Sequence, residues 1–329
     1  MSPRTNVARL SVAKKSVTAR LRSKDFLSIL DLDHAELDRI LDVAAELKRD
    51  RAGQRADRAR PLDGQHIALM FEKPSLRTRS TFMIAIRELG GEVIEPPSEV
   101  TFGGRESVED VARNLERWVS GVVVRTFAQS RLETFAAAAP ALRVINALTD
   151  EEHPCQALAD FLTLQEHLGP LPGRTVTFVG DGNNVAASLA HAGAMLGVHV
   201  RVASPAGFEL PARVAAAAEA VARHGATISV MRDPFEAVAG ADAVYTDTWA
   251  SMGQESEAAS RAKFFQPYQV NADLMAAAGP HALFMHCLPA HRGQEVTDEV
   301  MDSRACVVFD QAENRLHAQK ALLALLAGR

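Results

Sequence analysis

The stretch Ile67–Leu89, IALMFEKPSLRTRSTFMIAIREL, contains the pattern from which the fold can be inferred. An apolar run is followed by a polar turn, and Phe82, Ile86 and Leu89 then recur on one helical face. A short apolar run before a helical period is typical of a strand that leads into a helix. The stretch therefore predicts a strand, a turn and the start of a helix.

Similar apolar runs recur along the chain and are separated by segments of helical period. Strands that alternate with helices form parallel sheets covered on both faces. We therefore expect an α/β protein with two doubly wound parallel-sheet domains joined by bridging helices. The runs lie at 67–71, 121–124, 143–146, 175–179, 198–203, 227–230, 242–246, 282–287 and 306–309.

A domain boundary is expected near the middle of the chain. The turn Pro170–Gly173 comes directly before a new strand and a glycine-containing loop, which suggests a boundary nearby. We place the hinge around 147–153, with a helix at about 154–168 bridging the domains. The expected units are a basic extension at 1–24, a first domain at 25–152 with a terminal helix at 312–329 packing back on it, and a second domain at 153–311.

The composition is that of a globular protein. Apolar residues make up 47% of the 329 residues, enough for the cores of two domains. The 36 basic and 41 acidic residues give a formal charge of −5, and the composition shows no polybasic footprint, so nucleic acid is not an expected partner. The longest segment without charged residues, Gly182–Val200, is interrupted by asparagine, histidine and glycine, so no membrane span is expected.

Cysteine usage and the N-terminus bear on localisation. Cys155, Cys287 and Cys306 are an odd number without a Cys-x-x-Cys pair, which favours free thiols in a reducing compartment. The cytoplasm is the expected location. Residues 1–24 contain basic residues and no acidic ones, so a transit peptide to the mitochondrial matrix is the alternative to a solvated extension.

The turn Pro74–Arg79 is a candidate anion site. Backbone N–H groups at the helix start, the helix dipole, the hydroxyls of Ser75 and Thr78, and the guanidiniums of Arg77 and Arg79 together suit a phosphate group. The alternative is a simple N-cap with arginines on a solvated face.

The segment His153–Gln156 places two polar side chains at one helix end. Pro154 suits the first helical position, which makes His153 the N-cap and puts Gln156 in the first turn. An imidazole and a carboxamide there could polarise a carbonyl oxygen and hold an amide group. A histidine that only caps the helix is the alternative, and Cys155 is expected to pack in the core.

Arg315 is expected near the start of the terminal helix, in the segment Glu313–His317. The helix dipole is already positive there, so an additional guanidinium is unfavourable. An anionic ligand would offset this repulsion, and a salt bridge to a neighbouring carboxylate is the alternative.

The loop Gly180–Asn184 lies between an apolar run and a helical segment, as a dinucleotide-binding loop would. The Gly-x-Gly-x-x-Gly pattern fails because Val185 stands in place of the last glycine, and the next strand ends in Ser204 rather than in an acidic residue. NAD is therefore not expected. Two asparagines at a helix start suit a carboxylate or an amide-bearing ligand.

Two further segments, Asp247–Gly253 and His286–Arg292, follow expected strand ends, where ligands bind in parallel sheets. Asp247 could bind an ammonium group, and Cys287 could act as a nucleophile or exchange a proton. Zinc held by His286, Cys287 and His291 is the alternative, but neighbouring strand residues should point to opposite faces. A cysteine protease would need a nucleophile elbow, which does not accompany Cys287. We expect neither a metal nor a cofactor.

Seven motifs in this order resemble the ornithine carbamoyltransferases of the aspartate/ornithine carbamoyltransferase superfamily, over about residues 24–329. They are SLRTR, VVVRTF, HPCQALAD, GDGNN, DTWASMGQE, FMHCLPAHRG and ENRLHAQKALL. The resemblance implies a carbamoyl phosphate domain followed by an ornithine domain, and a trimer with active sites at subunit interfaces. It also implies a cis peptide bond between Leu288 and Pro289.

The resemblance also implies the site residues. The expected catalytic residues are Arg77, Arg125, His153 and Cys287. Carbamoyl phosphate would be bound by Ser75, Leu76, Arg77, Thr78, Arg79, Arg125, His153, Gln156, Cys287, Leu288 and Arg315. Ornithine would be bound by Asn184, Asp247, Ser251 and Met252.

The implied reaction makes citrulline and phosphate, as in arginine metabolism. Arginines would stabilise the charge that grows on phosphate as the C–O bond breaks, while Thr78, Arg125 and His153 would hydrogen-bond the carbonyl oxygen. Asp247 and Cys287 would favour the neutral amine of ornithine, and phosphate would accept the proton.

Three residues depart from the family pattern: Leu76, Met83 in place of a glutamate, and Thr101 in place of a glutamine that reaches the neighbouring subunit. Leu76 should matter little if the backbone makes the contact, whereas Met83 and Thr101 bear on carbamoyl phosphate affinity and leave a catalytically silent relative as an alternative. Transfer to aspartate or to an acylated ornithine is the other alternative, which Asp247 and the following Ser251 and Met252 disfavour.

Overall fold

A computed structural model of the chain describes residues 20–53, 60–97, 106–250 and 258–327. The chain divides into two compact units. One consists of Met1–Leu158 with Arg315–Arg329, and the other consists of Ala159–Asn314. Two helices of the chain, α5 (Pro154–Leu168) and α12 (Val308–Ala327), begin in one unit and end in the other.

The first unit is built on a parallel sheet with the strand order β2-β1-β3-β4. Every residue of the central strand GVVVR is buried, as expected for a parallel strand covered on both faces. Its strands are β1 (His66–Phe71), β2 (Glu92–Ile94), β3 (Gly121–Arg125) and β4 (Arg143–Leu148). Its other helices are α1 (His34–Ala52), α2 (Leu76–Glu88), α3 (Val108–Trp118) and α4 (Gln129–Ala138), and a 3₁₀ helix spans Ile29–Asp31.

The second unit is built on a parallel sheet with the strand order β7-β6-β5-β8-β9. Its strands are β5 (Thr175–Val179), β6 (His199–Ala203), β7 (Ile228–Met231), β8 (Ala243–Thr246) and β9 (Leu283–His286). Its remaining helices are α6 (Asn184–Leu196), α7 (Ala212–Ala220), α8 (Pro234–Val238), α9 (Ala258–Phe265), α10 (Ala272–Ala278) and α11 (Asp298–Met301), with a 3₁₀ helix at Gln266–Tyr268.

The predicted fold class is confirmed, because both sheets are parallel and their strands alternate with helices. The run at 306–309 was wrongly predicted as a strand. Cys306 forms a single bridge to Phe284, and α12 begins at Val308. The sequence pattern also missed β2, whose two outer residues, Glu92 and Ile94, are exposed and provide no apolar run.

The end of the terminal helix is anchored within the first unit by an ion pair between a buried lysine and a partly buried glutamate. Lys320 of α12 donates to Glu88 of α2 at 2.5 Å, and Arg51 of α1 donates to the same carboxylate at 2.9 Å. Burial would raise the pKa of Glu88, but these two cations outweigh it and the pKa lies below its usual value.

Among the described residues, we find no helix whose length and apolar character would suit a bilayer span.

Candidate functional site

Each sheet has one point at which the strand order reverses. In the first unit this switch point lies between β1 and β3, and in the second unit it lies between β5 and β8. Ligands of open parallel sheets bind beyond the carboxyl ends of the strands at such points. The residues that follow these four strands are therefore the candidates in each unit.

In the first unit, the segment after β1 leads into the N-terminus of α2. Ser75 is the N-cap, and its hydroxyl accepts a hydrogen bond from the Thr78 N–H at 3.3 Å. Leu76 is largely exposed, Arg77 is half-buried, and the first turn contains no acidic residue. The positive end of the helix dipole and Arg77 thus lie together without a carboxylate in the same turn, which favours an anion.

Arg315 connects this helix start to the start of α5. It is almost fully buried and donates to the Thr78 hydroxyl at 2.6 Å and to the Gln156 carboxamide oxygen at 2.5 Å. The expectation that Arg315 lies near a helix start was wrong, since α12 begins seven residues earlier at Val308. Both of these acceptors are neutral oxygens, one from each of the two helix starts.

His153 lies among cations at the start of α5. Burial lowers the pKa of its imidazole well below 6.5, and the guanidiniums of Arg315 and Arg125 lower it further. Arg125 is the last residue of β3 and is itself buried. At neutral pH the imidazole is therefore uncharged, and two guanidiniums surround it. Such a group can donate a hydrogen bond to a carbonyl oxygen without adding a further charge.

The lowered pKa of His153 predicts a loss of stability in acid. Below pH 6.5 the unfolded chain binds a proton at this residue that the folded chain excludes. The free energy of unfolding therefore decreases as the pH is lowered, until the pH reaches the folded-state pKa. The slope reaches about 1.4 kcal/mol per pH unit. Urea unfolding at about pH 7.5 and pH 5.5 should show a smaller pH effect in His153→Gln than in the unmodified protein. Equal pH effects would contradict the assignment.

Cys155, which follows Pro154 in the same helix, is a buried core thiol as predicted. Its sulfur donates to the Asn146 carbonyl at 3.3 Å, and burial raises its pKa to about 12. A thiol that remains protonated is a poor nucleophile.

Arg79 is held by a carboxylate outside its own helix. Its guanidinium forms a two-point pair with Glu95, just after β2, at 2.8 and 2.5 Å, and this pairing raises its pKa. Glu95 therefore supplies a partner where Met83 removes the glutamate typical of the resembled family. Thr101 lies outside the described residues.

Sequence reasoning missed the residues that hold the segment after β1. Lys73 is buried, donates to Asp150 at 2.6 Å and lies 4.3 Å from the centroid of the Phe127 ring. Glu72 accepts a hydrogen bond from the Thr126 hydroxyl, just after β3. A buried lysine is uncommon, but only the fold brings its partners to it, so the sequence offered no clear signal.

In the second unit, polar residues converge after β5, β8 and β9. Asn183 caps α6 by accepting from the N–H groups of Val185 and Ala186, and its amide donates to Asp247 at 2.8 Å. The Cys287 thiol donates to the other oxygen of Asp247 at 3.0 Å. The structure thus brings together Asp247 and Cys287, with Asn184 as the first residue of α6. Ser251 and Met252 lie outside the described residues.

The glycine-rich loop before α6 is shaped by close packing and by an ion pair. A side chain at Gly182 would place its Cβ 2.2 Å from the Leu210 nitrogen, so only glycine fits. Asp181 pairs with Arg261, whose Nε also donates to the Trp249 carbonyl at 2.5 Å. Burial raises the pKa of Asp181, and the positive charge of Arg261 makes this increase smaller. Asp181 therefore serves the loop structure.

The expectation that the side chains of His286 and Cys287 diverge was wrong. Potential ligand atoms of Asp247, His286 and Cys287 lie within 4.8 Å of one another. Strand alternation does not apply, because β9 ends at His286. Both imidazole nitrogens are engaged, however: Nδ1 accepts from the Leu288 N–H at 2.8 Å, and Nε2 lies 3.3 Å from Glu295 Oε1. A metal ion would have to displace one of these contacts. The peptide bond between Leu288 and Pro289 is cis, as the resemblance implied.

Comparisons with known proteins match nearly the whole chain. Residues 24–166 match the carbamoyl phosphate binding domain of aspartate/ornithine carbamoyltransferase, and residues 172–326 match its aspartate/ornithine binding domain. An ornithine carbamoyltransferase of Symbiobacterium thermophilum is 50% identical over 93% of this chain and 98% of its own length. The solved ornithine carbamoyltransferase of Pyrococcus furiosus has a TM-score of 0.88 and 46% identity over 94% of this chain and 97% of its own. That of Gloeobacter violaceus has a TM-score of 0.84, with the same identity over 94% of this chain and all of its own.

Proposed function

The chain belongs to the aspartate/ornithine carbamoyltransferase family, and on this premise we propose that it transfers the carbamoyl group of carbamoyl phosphate to the δ-amine of L-ornithine. The products are L-citrulline and phosphate. The observation that best supports this proposal is the buried cationic group of Arg125, Arg315 and the neutral His153 in the first unit. It matches a substrate that combines a phosphate with a carbonyl.

Carbamoyl phosphate is bound by the first unit, in the domain placed at 25–152 with the terminal helix. The start of α2 and its arginine bind the phosphate through backbone N–H groups and charge. Arg315 adds a guanidinium that the Thr78 and Gln156 oxygens hold in place. The proposed residues of this unit are Ser75, Leu76, Arg77, Thr78, Arg79, Arg125, His153, Gln156 and Arg315.

The carbonyl group is polarised by His153, Thr78 and Arg125. The δ-nitrogen attacks the carbamoyl carbon, negative charge grows on the carbonyl oxygen, and the C–O bond to phosphate breaks with its electron pair leaving on phosphate. Donors fixed beforehand in a buried setting stabilise that charge.

Ornithine is bound by the second unit, in the domain placed at 153–311. Asp247, held by Asn183 and Thr248, carries the negative charge that suits an ammonium group. Asn184 at the start of α6 suits the carboxylate of a free amino acid. Ser251 and Met252 complete the proposed set.

The attacking amine must be neutral, and the released proton passes finally to phosphate. The Cys287 thiol and Asp247 form a hydrogen-bonded pair that can accept or relay the proton of an incoming ammonium group. No covalent intermediate with Cys287 is required. Tyr245, buried behind this pair, has a pKa raised well above 10 by burial and by Asp160, so it stays protonated.

A colorimetric citrulline assay tests the proposed reaction. Purified protein should form citrulline from carbamoyl phosphate and ornithine, with rates about a hundredfold or more lower for N-acetylornithine, putrescine and aspartate. Each of these lacks a group that Asp247 and Asn184 are proposed to bind, or lacks the δ-amine. Omission of carbamoyl phosphate is the control. A faster reaction with aspartate or N-acetylornithine would identify that compound, rather than ornithine, as the substrate.

We assign the reaction to arginine biosynthesis in the cytoplasm. Restored growth without arginine in a bacterium that lacks ornithine carbamoyltransferase would support this assignment, and failure to restore growth despite activity in vitro would count against it. We propose a homotrimer from the family resemblance, and light scattering that gives a monomer mass would refute it. The exposed apolar side chains of the first unit, which are available for contacts, are Leu30, Leu76, Ile84, Ile94, Trp118 and Phe127.

A further inference from the structure

One buried carboxylate bridges both ends of the segment between His286 and His291. Glu295 is fully buried, and its Oε1 accepts a hydrogen bond from the His291 backbone N–H at 2.5 Å. The same oxygen lies 3.3 Å from Nε2 of His286, whose side chain is also fully buried. The segment in between contains Cys287 and Leu288, so Glu295 limits the conformations that these residues can adopt.

The hydrogen bonds determine where the imidazole proton of His286 lies. The Leu288 N–H donates to Nδ1 at 2.8 Å, so Nδ1 is the acceptor of a neutral ring. The proton is therefore on Nε2, which donates to Glu295. This one imidazole connects a buried carboxylate to the backbone of Leu288.

Leu288 needs such support because its backbone is strained. Its φ is +57°, in the left-handed region that residues with a Cβ rarely adopt. The bond from its N–H to the side chain two residues earlier has the geometry of an Asx-type turn and fixes the position of this N–H. Strained backbone of this kind persists only where surrounding contacts determine it.

The strand end before this turn is held from a second direction. The His286 backbone N–H donates to Gln311 Oε1 at 3.0 Å, and Gln311 in turn donates to the buried Asp160 at 2.7 Å. His286 is thus restrained through both its backbone and its side chain. A displacement at this residue would be transmitted to Cys287, its neighbour in the chain.

We propose that His286 is a positioning residue whose Nδ1 sets the Leu288 turn and so keeps the Cys287 sulfur within hydrogen-bond distance of Asp247 for ornithine binding. The Cys287 sulfur lies 3.0 Å from Asp247 Oδ1. The role of His286 in ornithine binding rests on the proposed function of Asp247 and Cys287. The placement of the thiol can be measured without that function.

Two substitutions separate the two nitrogens of His286. Asparagine keeps an acceptor at the Nδ1 position and can form the same turn with Leu288. Glutamine places its amide nearer to the Nε2 position and loses that acceptor. We expect His286→Asn to keep the KM for ornithine within about threefold, and His286→Gln to raise it about tenfold or more, as for one lost hydrogen bond.

Alkylation of Cys287 by iodoacetamide, followed by peptide mass spectrometry, gives a readout independent of activity. A neighbouring carboxylate disfavours the thiolate, so a thiol moved away from Asp247 should react faster. We expect a rate about threefold or more higher in His286→Gln and an unchanged rate in His286→Asn. Cys155 and Cys306 are internal references in the same digest. His286→Leu, with neither polar group, replaces the glutamine variant if that variant does not fold.

The outcomes are distinct. Equal kinetics and equal alkylation in the asparagine and glutamine variants would overturn the positioning role, as would a change confined to melting temperature. Absence of citrulline formation by the unmodified protein would overturn the proposed function instead, and the alkylation rates would still decide whether His286 positions Cys287.

Discussion

Replacing Arg77 with alanine is expected to abolish measurable citrulline formation, with kcat/KM for carbamoyl phosphate reduced about a thousandfold or more. Arg77 lies in the first turn of α2, where the helix dipole and the absence of an acidic residue in that turn favour an anion. Its guanidinium is proposed to stabilise the charge that grows on phosphate as the C–O bond breaks. Alanine removes this charge at the step where it has its largest effect. Steady-state citrulline assays over a range of carbamoyl phosphate concentrations provide the measurement.

Arg87→Ala is the matched control for this prediction. Arg87 lies in the last turn of the same helix and is exposed. Its removal makes a similar change in net charge and helix composition, so turnover should stay within about twofold of normal, as for a surface substitution. Near-normal turnover in Arg77→Ala would refute the placement of phosphate at the start of α2. A similar loss in both variants would point to a general effect of charge on the protein.

Replacing Asp247 with asparagine is expected to raise the KM for ornithine about a hundredfold, while the affinity for carbamoyl phosphate stays unchanged. Removing one partner of a hydrogen-bonded charge pair costs about 2–5 kcal/mol, and asparagine keeps the size of the side chain. The carboxylate accepts hydrogen bonds from Asn183, Thr248 and Cys287. Its charge is therefore already oriented before the ammonium group arrives. Initial rates and calorimetric titration with carbamoyl phosphate measure the two affinities separately.

Asp242→Asn is the control at the other end of the same strand. Asp242 precedes β8 and accepts from the Arg174 side chain and from the Thr175 N–H, both at 2.8 Å. Its substitution should lower the melting temperature and leave the KM for ornithine unchanged. If Asp247→Asn changes only stability, as this control does, Asp247 is a structural residue and the ornithine site lies elsewhere.

The sequence predicted the helix starts that form the site better than it predicted which residues pair with one another there. The turn before α2, the proline at the start of α5 and the asparagines before α6 are signals within a few residues, because capping depends on local geometry. The positions of Ser75, Pro154 and Asn183 at helix starts agree with those signals. The misplaced strand at 306–309 has a similar local cause. A short apolar run alone does not distinguish a strand from a buried helix start.

Long-range pairings could not be read in this way. Arg315 reaches Thr78 and Gln156 across separations of 237 and 159 residues. Arg79 pairs with Glu95, 16 residues further along the chain. A charged or polar residue is visible in a sequence, but the residue with which it forms a hydrogen bond or ion pair depends on which strands neighbour each other. The two switch points follow from strand order, and the placement of Asp247 beside Cys287 follows from the pairing of β8 with β9.

What the sequence alone determined is the set of elements: buried runs that require parallel strands, helix periods between them, and polar groups at helix starts. Hydrophobic periodicity and capping depend on residues that are close in the chain, so they are visible without a structure. What only the tertiary structure decided is the protonation of those groups and the residues that they contact. The neutral imidazole of His153, the thiol of Cys287 on Asp247 and the turn held by His286 depend on burial and on charges brought close by folding, since both act through space rather than along the chain.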